Sequence, residues 1–514
     1  MTKRHASTSP RAAARPAATP APLAAAPATL FPALREILDP SAPFLVPLLL
    51  LLVGRWVLWL HLPFASEDAY ITFRYARDLA GGMGPVYNPG ERVMGFTSAP
   101  WMLWSAAGYA LLKDPVLWSR IWTLIGDVTT LLVMGTMLRG TASLASAWCF
   151  NFFFAAWPFI AAVGVSGMEN SAMFTLIALA GALVARSSPA SGPVLGLLAL
   201  WRPEGLASAA VIALGARWRD RAIAAAVALA GLGALALIYG SPIPQSLFAK
   251  ARIYGTAGPW LGRHWWEWLS PFAFGRWPIA SEGNSLLPLT VVFAPALVAG
   301  APHLWRARRS GLALAVAGAL VVWLGYSLLG VTYFYWYMLV PLAGLAALAA
   351  VGLPRIARGP YLYVSIALFV LGTWTLTPVL YLGRAKAEYF SFGAVAQYLL
   401  AHAQPGEKVM LEPIGFIGYH NPLRIVDEIG LVSPQVATRR LQGPGWYADI
   451  EERERPDWLV VRRTFLTSGE AFAGAGAPFR NPAERDSVLG RFRTVTGTAE
   501  EAGDLSMVVL RRVR

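Results

Sequence analysis

The segment SEDAYITFRYARDLAGGMGPVYNPGERV, residues 66–93, decides how the rest of this chain is interpreted. It follows an apolar run from Phe44 to Leu60 and begins with two adjacent acids, Glu67 and Asp68. Carboxylates beside a membrane-spanning segment are energetically costly, so their presence points to a functional site. From residue 68 to 79 the apolar side chains recur at helical spacing, which predicts a short amphipathic helix in the membrane interface.

The second half of the segment predicts an ordered polar loop. Glycines end the helix, and Tyr87-Asn88-Pro89-Gly90 has the composition of a tight turn. Such a turn would bring Glu91 back toward the two acids. The candidate residues that shape a site in this loop are Tyr70, Arg77, Asn88 and Glu91.

Composition identifies the broad class. The chain has 514 residues, of which 56% are hydrophobic and only 14% are charged, and its mean hydropathy is +0.49. One soluble core could not bury that much apolar surface, so the sequence predicts a polytopic α-helical membrane protein. The formal net charge of +14 comes from short basic clusters between apolar segments, which is typical of cytoplasmic loops and argues against nucleic-acid binding.

Three regions follow from the distribution of apolar residues. Residues 1–42 are rich in alanine and proline and are predicted to form a disordered cytoplasmic tail. A cleaved signal peptide is the alternative, but the first apolar run is longer than a signal-peptide core and predicts a transmembrane helix. Residues 43–384 form the predicted membrane domain, with outer loops at 61–98 and 240–285, and residues 385–514 a predicted soluble α/β domain on the outer side.

The positions of lysine and arginine predict the topology. Further membrane helices are expected at about 116–138, 142–163, 170–186, 222–239, 286–303, 311–330, 333–351 and 360–382. The basic clusters between them can all face the cytoplasm only under two conditions. Residues 97–112 must lie along the outer surface, and residues 193–216, which Arg202-Pro203-Glu204 interrupts, must enter and return as a broken hairpin.

This topology gathers four polar segments on the outer face, and their convergence predicts a site there. They are the 66–93 loop, Ser166–Asn170, Trp201–Glu204 and the long loop 240–285. The long loop contains Lys250 in the run SPIPQSLFAK, followed by tryptophans that suit the headgroup level, at Trp260, Trp265, Trp266 and Trp268.

The soluble domain has a mixed pattern. A helix is expected at 392–403 and strands at 408–411, 423–426, 458–461 and 505–510, separated by proline and glycine turns. The single cysteine, Cys149, lies in an apolar run, so this domain must fold without an internal disulfide.

Two candidates in the outer loops, the acid pair Glu67-Asp68 and Lys250, have both a chemical and a structural interpretation. Glu67 and Asp68 could act as a general base for an acceptor hydroxyl, or could cap the helix that follows them. Lys250 is suited either to a phosphate or to snorkelling at the membrane surface.

For Arg74 and Arg77 a structural and a functional interpretation are about equally strong, and for Glu169, Arg202 and Glu204 the structural interpretation is the stronger one. Arg74 and Arg77 could pair with Asp78 or with anionic headgroups. Glu169, Arg202 and Glu204 are expected to form ion pairs that hold broken helices together. No Walker, CxxC or HExxH motif is present, so no metal site is predicted, although the number of acids is compatible with a divalent cation.

The order of several short motifs resembles a known family. They are EDAYITFRYARDLAGGMGPVYNPGERVMGFTSAPW, SGMEN, WRPEG, SPIPQSLFAK, YFYWYMLVPL and DEIGLVS, and together they cover most of residues 44–435. The series resembles bacterial GT-C glycosyltransferases, especially the group similar to mycobacterial terminal arabinofuranosyltransferases. The resemblance implies a GT-C scaffold of about 10 to 12 membrane segments with interfacial helices, plus a C-terminal soluble α/β domain.

The same resemblance implies an activity and residue roles. It implies inverting transfer of a sugar, such as arabinofuranose, from a polyprenyl-phosphate donor to a cell-envelope glycan or other hydroxyl acceptor at the outer face of a bacterial inner membrane. Asp68 would be the base with Glu67 beside it, and Lys250 would bind the donor phosphate. Relatives often carry an arginine near Trp336-Tyr337, and this chain has none there, so Arg74 or Arg252 would substitute.

Two other functions fit a membrane protein with buried charge. A transporter or flippase for a lipid-linked glycan would also use broken helices, but it predicts inverted repeats and none is evident in the sequence. A scaffold whose soluble domain binds envelope partners is the third interpretation.

Overall fold

The computed structural model describes residues 29–62, 64–253, 287–329, 334–467, 469–474, 476–498 and 505–513. Two predicted parts of the chain lie outside the described residues: residues 1–28 of the tail, and the tryptophan cluster at Trp260, Trp265, Trp266 and Trp268. The described chain forms a helical membrane domain that carries a small C-terminal sheet domain.

Helices make up the membrane domain. They are α1 (Leu34–Ile37), α2 (Leu45–His61), α3 (Glu67–Ala80), α4 (Ala99–Leu112), α5 (Pro115–Thr141), α6 (Leu144–Ala156), α7 (Pro158–Val165), α8 (Asn170–Ala185), α9 (Ser191–Trp201), α10 (Pro203–Ala213), α11 (Trp218–Tyr239), α12 (Gln245–Ile253), α13 (Leu287–Arg306), α14 (Gly311–Leu329), α15 (Leu339–Ile356) and α16 (Pro360–His402). A short 3-10 turn, Tyr335–Met338, precedes α15.

Several of these helices are apolar enough to cross a membrane. Among the described residues, three meet the length and composition expected of a span: α5, α11 and the stretch Trp336–Ile356. Counting α6 and α7 as one broken span makes four, and shorter apolar helices include α2, α8, α9 and α10. The chain is therefore a multi-pass membrane protein, as its composition predicted.

Two helix breaks position polar groups. The helix predicted at 142–163 is wrong as a single span, because α6 and α7 meet at an angle of 55° at Trp157. Pro158 causes the break, since its ring cannot continue the preceding helix and it has no N–H to donate. The hairpin predicted at 193–216 is confirmed: α9 and α10 pack against each other, and Arg202 between them is extended with φ −155°.

A buried polar network that the sequence analysis did not single out joins three membrane helices. Arg55 Nε on α2 lies 2.9 Å from Asp127 Oδ2 on α5, and neither side chain is exposed beyond 3%. The hydroxyl of Ser171 on α8 donates to the other oxygen of Asp127. A buried pair with further hydrogen bonds is costly to break from one side, so it fixes how these helices pack.

The two ends of the helix bundle differ in charge. At one end, His303 Nε2 lies 2.9 Å from the carbonyl of Thr141, and Arg355 contacts the same imidazole. These contacts join the ends of α5, α13 and α15. At the other end, the hydroxyl of Tyr239 donates to the carbonyl of Pro85 in the loop after α3, at 2.7 Å. The basic clusters and the 66–93 loop therefore lie at opposite ends of the bundle.

The C-terminal domain is built on a five-stranded mixed sheet. Its strands are β1 (Lys408–Leu411), β2 (Arg424–Asp427), β3 (Trp458–Arg462), β4 (Phe492–Gly497) and β5 (Met507–Arg512), in the order β2-β1-β3-β5-β4. The first three are parallel and β5 runs antiparallel to both β3 and β4. The four predicted strands are confirmed, whereas β4, whose side chains are mostly exposed or half-buried, was not predicted. The helices of the domain are α17 (Gly415–His420), α18 (Pro434–Arg440), α19 (Trp446–Glu454), α20 (Arg463–Thr467) and α21 (Pro482–Leu489).

One long helix joins the two domains. The sequence predicted separate helices at 360–382 and 392–403, but α16 runs without interruption from Pro360 to His402. The predicted boundary between residues 384 and 385 falls inside it. Its last turns pack under the sheet, where Phe392 and Leu399 are buried. This packing against the apolar face of the soluble domain stabilises the helix beyond the membrane segment.

The DEIGLVS motif forms the loop that contacts the membrane domain. Asp427 ends β2, and its carboxylate accepts hydrogen bonds from the backbone N–H groups of Ile429 at 2.8 Å and Val432 at 3.0 Å. Burial raises the pKa of Asp427 to about 6. The loop packs so closely on Gly95 that a Cβ there would lie 2.5 Å from the side chain of Val432. The carboxyl ends of β1 and β2 therefore face the membrane domain.

Candidate active site

A pocket lies where α3, α12 and the tip of α9 meet the DEIGLVS loop. Its lining residues are Asp68, Ile71, Thr72, Gly95, Phe96, Thr97, Met168, Glu169, Arg202, Ser246, Lys250, Trp336, Tyr337 and Leu431. The pocket combines segments from all four predicted polar regions of the outer face. It also includes one residue of the C-terminal domain, Leu431, so both domains form its wall.

The central contact in the pocket joins two residues that the sequence analysis selected separately. Lys250 Nζ lies 3.0 Å from Asp68 Oδ2, and the two side chains are 14% and 20% exposed. The N-cap position of α3 is Ser66, and Asp68 lies in the first turn with its carboxylate on Lys250, so Asp68 is not the helix cap of the alternative interpretation. Lys250 likewise lines the pocket and pairs with Asp68, which favours the phosphate interpretation over snorkelling.

Aromatic rings surround the Lys250 ammonium. Its nitrogen lies 4.5 Å from the ring centre of Phe334 and 5.9 Å from those of Trp336 and Tyr337. Burial by itself disfavours the charged amine, but the nearby Asp68 carboxylate outweighs it and raises the pKa of Lys250 above its ordinary value. The lysine therefore keeps a full positive charge at neutral pH, which a phosphate ligand needs.

A second set of charges forms the opposite wall. Arg202 pairs with Glu169 and with Glu204, and its side chain is only 3% exposed. Thr97 donates to Glu169 at 3.1 Å, and the hydroxyl of Tyr326 donates to Glu204. The predicted ion pairs of the broken hairpin are confirmed, and they bring Arg202 and Glu169 to the pocket surface while Glu204 lies behind them.

Glu67 points away from the pocket, although it is next to Asp68 in sequence. Its Oε1 accepts hydrogen bonds from the backbone N–H groups of Gly415 and Phe416 at the start of α17, the second at 3.3 Å. Burial, and then the charges of Asp68 and Glu412, raise the pKa of Glu67 well above its ordinary value. The structure therefore assigns the two acids to different tasks, and Glu67 joins the domains.

Arg74 is also a structural residue, which corrects its expected role at the donor phosphate. Its guanidinium donates to the carbonyls of Tyr87 at 2.7 Å and of Gly418 and Leu423 at 2.8 Å. It lies 4.3 Å from the ring centre of Tyr87 and is 2% exposed. These contacts hold the 66–93 loop against the C-terminal domain, on a different side of α3 from Asp68.

Tyr70 and Arg77 belong to the same interface, so the structure does not bring them to the pocket. The ring of Tyr70 packs against Phe416 with a centre-to-centre distance of 4.9 Å. Arg77 pairs with Asp78 at 2.8 Å, as one interpretation proposed, and also donates to the carbonyl of Tyr419.

Asn88 and Glu91 likewise contact the C-terminal domain. The amide of Asn88 bonds both backbone groups of Ile425, at 2.9 and 3.0 Å, and so fastens the turn to the edge strand β2. Glu91 pairs with Arg424 of that strand. The charged partner of Glu91 is therefore an arginine at the strand edge.

Arg252 does not reach the pocket either. It is exposed on α12, and its guanidinium lies 5.8 Å from the ring centre of Phe248 on the same helix. Since Lys250 and Arg252 are two residues apart, they lie on different sides of the helix.

Six polar or aromatic pocket residues were not selected from the sequence: Thr72, Phe96, Thr97, Ser246, Trp336 and Tyr337. Helical spacing was the available signal for two of them, because Thr72 follows Asp68 by four residues and Ser246 precedes Lys250 by four. Tyr337 has no such signal, since it comes from a distant segment. Over the parts of the chain that the structure describes, no three His, Cys, Asp or Glu side chains are grouped to hold a metal ion.

The helical bundle, its broken hairpin and the sheet domain above it define the GT-C fold of multi-pass membrane proteins. Two solved structures that the chain resembles are ArnT from Cupriavidus metallidurans bound to undecaprenyl phosphate, with a TM-score of 0.56 and 14% identity, and the same protein in the apo state, with a TM-score of 0.54 and 13% identity. Each alignment covers 90% of this chain and 97% of ArnT.

A third similar structure is the Archaeoglobus fulgidus oligosaccharyltransferase tethered to an acceptor peptide. Its TM-score is 0.51 at 11% identity, over 91% of this chain and 74% of that chain. Residues 381–502 match a family described as a domain of unknown function, DUF8728. No curated protein matches the sequence. At these identities the structural likeness shows the fold alone. The chemistry is inferred from the residues of the pocket.

Proposed function

We propose that the protein is an inverting membrane glycosyltransferase that moves a sugar from a polyprenyl-phosphate donor to a hydroxyl acceptor. The observation that carries the proposal is the contact between Asp68 and Lys250. They are 182 positions apart in sequence and 3.0 Å apart in one pocket. A carboxylate and an ammonium are the two groups that this substitution requires, one for the acceptor and one for the leaving phosphate.

The reaction assigns one role to each partner. Asp68 accepts the proton of the acceptor hydroxyl as the oxygen forms its bond to the anomeric carbon. The bond between that carbon and the phosphate oxygen breaks, and the electron pair leaves with the polyprenyl phosphate. Lys250 stabilises the negative charge that develops there, and attack opposite to the leaving group inverts the anomeric configuration.

The short distance between Asp68 and Lys250 has a consequence for this mechanism. A sugar ring cannot fit between groups that are already 3.0 Å apart, so Asp68 and Lys250 must separate when the donor binds. The donor phosphate supplies a new anionic partner for the lysine. Binding of the donor then frees the carboxylate to act as the base.

The proposed donor has support from similar solved structures. The fold is that of ArnT, whose solved structure contains undecaprenyl phosphate, and a similar oligosaccharyltransferase structure holds an acceptor peptide. These likenesses support a lipid-linked donor. For the finer assignment, we propose arabinofuranose or another pentose as the sugar and a cell-envelope glycan as the acceptor, on the motifs shared with the arabinofuranosyltransferase group.

We also propose that the pocket and the C-terminal domain face the outside of a bacterial inner membrane. The support is the separation of charge along the bundle. Arg217 and Arg221 begin α11, and Tyr239 at the other end of that helix contacts the 66–93 loop. Basic residues are retained on the cytoplasmic side of membranes, so the loop and the pocket are assigned to the opposite side.

A transfer assay on purified protein tests the proposal. The protein is reconstituted in lipid nanodiscs, co-purifying prenyl-phosphate sugars are identified by mass spectrometry, and the identified donor is offered to envelope glycan extracts. We expect release of prenyl phosphate together with a glycosylated product, and loss of both in Asp68→Asn. Movement of the intact lipid-linked sugar across vesicles without release of prenyl phosphate would instead support the transporter.

A further inference from the structure

Ser246 is a pocket residue with an unused hydrogen-bonding group. Its side chain is 2% exposed, it lines the pocket beside Lys250, and its hydroxyl has no hydrogen-bond partner among the residues that the structure describes. Buried polar groups are normally satisfied, and a helical serine often bonds the carbonyl four residues earlier. A buried hydroxyl that does neither, at the wall of a pocket, is suited to a ligand.

The position of Ser246 on α12 indicates which part of a ligand it meets. Ser246 lies in the first turn of the helix and Lys250 in the next, and a spacing of four residues places both side chains on one face. The amino end of a helix favours a negative charge, and Lys250 adds a full positive charge one turn further on. The acids Asp68 and Glu169 belong to the other walls of the pocket.

The start of α12 is held firmly. The backbone N–H of Gln245 donates to the carbonyl of Met94 at 2.9 Å, and its side-chain amide donates to the carbonyl of Gly430 at 3.0 Å. One bond reaches the loop after α3 and the other reaches the C-terminal domain. The residue next to Ser246 therefore fixes the helix between the two domains, and the serine hydroxyl has a defined position.

We propose that Ser246 donates a hydrogen bond to a non-bridging oxygen of the donor phosphate, which Lys250 holds by charge. This inference rests on the proposed function and adds a second contact to it. The phosphate lies against the amino end of α12, and the anomeric carbon points across the pocket toward Asp68. The serine then orients the leaving group, which a single flexible ammonium cannot do.

Binding measurements with three probes test the assignment. Undecaprenyl phosphate, undecaprenol and inorganic phosphate are titrated against the full-length protein in nanodiscs, for wild type, Ser246→Ala, Ser246→Thr and Lys250→Met. We expect Ser246→Ala to weaken undecaprenyl phosphate binding about tenfold, since hydrogen bonds to charged groups are worth that much. Ser246→Thr keeps the hydroxyl and restores most of the affinity. Undecaprenol, which lacks the phosphate, binds wild type and Ser246→Ala equally.

The controls separate the possible results. Ser241→Ala changes a serine of the same segment whose hydroxyl bonds locally to Ile243, and it leaves all three affinities unchanged.

Wild-type affinity of Ser246→Ala for undecaprenyl phosphate, with a loss in Lys250→Met, would overturn the role of Ser246 and leave the proposed function standing. Failure of wild type itself to prefer undecaprenyl phosphate over undecaprenol would contradict both. Binding of inorganic phosphate as tight as that of undecaprenyl phosphate would also overturn the assignment to a lipid-linked donor. Should Ser246→Ala lower the melting temperature, the affinity of Ser246→Thr for undecaprenyl phosphate is compared with that of wild type. An affinity close to wild type supports the hydroxyl contact, and a loss as large as in Ser246→Ala overturns it.

Discussion

The ammonium of Lys250 lies 3.0 Å from the carboxylate of Asp68, inside a pocket that both domains enclose. The pair joins the first turn of α3 to the second turn of α12. In the proposed mechanism the two groups neutralise each other until the donor phosphate enters, so this contact keeps Asp68, the proposed base, paired with the lysine. Three aromatic rings limit where the lysine can move, which directs it toward the ligand when the pair opens.

Asp68→Asn tests the base directly. The amide has the same shape and still accepts a hydrogen bond from Lys250, but it cannot take a proton. We expect turnover to fall by about 10² to 10⁴, with the donor affinity and the melting temperature little changed. The adjacent Glu67→Gln is the matched control and should retain much more activity. Transfer by Asp68→Asn at close to the wild-type rate would remove Asp68 from the mechanism.

Lys250→Met tests the phosphate contact. The methionine fills the aromatic surroundings but carries no charge, so the donor should bind about ten- to a hundredfold more weakly, which corresponds to about 1.5 to 3 kcal/mol. The acceptor KM should change much less. Lys113→Met alters an exposed lysine outside the pocket and serves as the control. An unchanged donor KM in Lys250→Met would contradict the assignment.

Glu67→Gln tests the contact between the domains through its pH dependence. Burial and the charges of Asp68 and Glu412 raise the folded-state pKa of Glu67 above its ordinary value of 4.5. A raised carboxyl pKa means that the folded state holds the proton more tightly, so the contribution to stability is greatest below 4.5 and is lost as the pH rises toward the folded pKa. Glutamine keeps the acceptor oxygen without titrating.

The melting temperature of wild type should therefore fall relative to that of Glu67→Gln as the pH rises from about 5 to 8. Glu452→Gln changes an exposed acid on α19 and should follow wild type at every pH. Parallel curves for wild type and Glu67→Gln would show that the interface does not sense this carboxyl.

Arg202→Gln tests whether the second set of charges is structural. Removing the guanidinium leaves Glu169 and Glu204 buried without their partner, which costs about 3 to 5 kcal/mol when a buried ion pair is broken from one side. We expect a large drop in melting temperature. Arg217→Gln breaks a half-exposed pair with Asp220 and should cost far less. Normal stability of Arg202→Gln combined with lost donor binding would place the arginine on the ligand.

Cysteine labelling tests the orientation. Cys149 is buried, so the background reaction with a membrane-impermeant thiol reagent should be low. A cysteine at exposed Glu452 in the C-terminal domain should react in intact cells, and one at exposed Arg308 should react only after the cells are opened. The reverse pattern would overturn the outer-face assignment.

Much of the local structure could be predicted from the sequence, because buried apolar side chains recur with the period of the helix or strand that carries them. The helical spacing of residues 68–79 predicted α3, short strand-like apolar runs predicted β1, β2, β3 and β5, and Arg202-Pro203 predicted the broken hairpin. The ion pairs of Arg202 could also be predicted, since a charge inside an apolar hairpin needs a nearby partner.

Only the tertiary structure decided which of the polar residues act together. Glu67 and Asp68 are neighbours in sequence, yet successive helix positions differ by about 100°, so one faces the pocket and the other faces α17. Arg74 finds its acceptors 344 and 349 positions away. Periodicity reports that a side chain is buried, but α3 is covered on both sides, by the pocket and by the C-terminal domain. The sequence by itself therefore determined that this helix carries buried charge, and the packing of distant segments determined that Asp68 and Lys250 share a site while Glu67, Arg74 and Asn88 form the interface with the second domain.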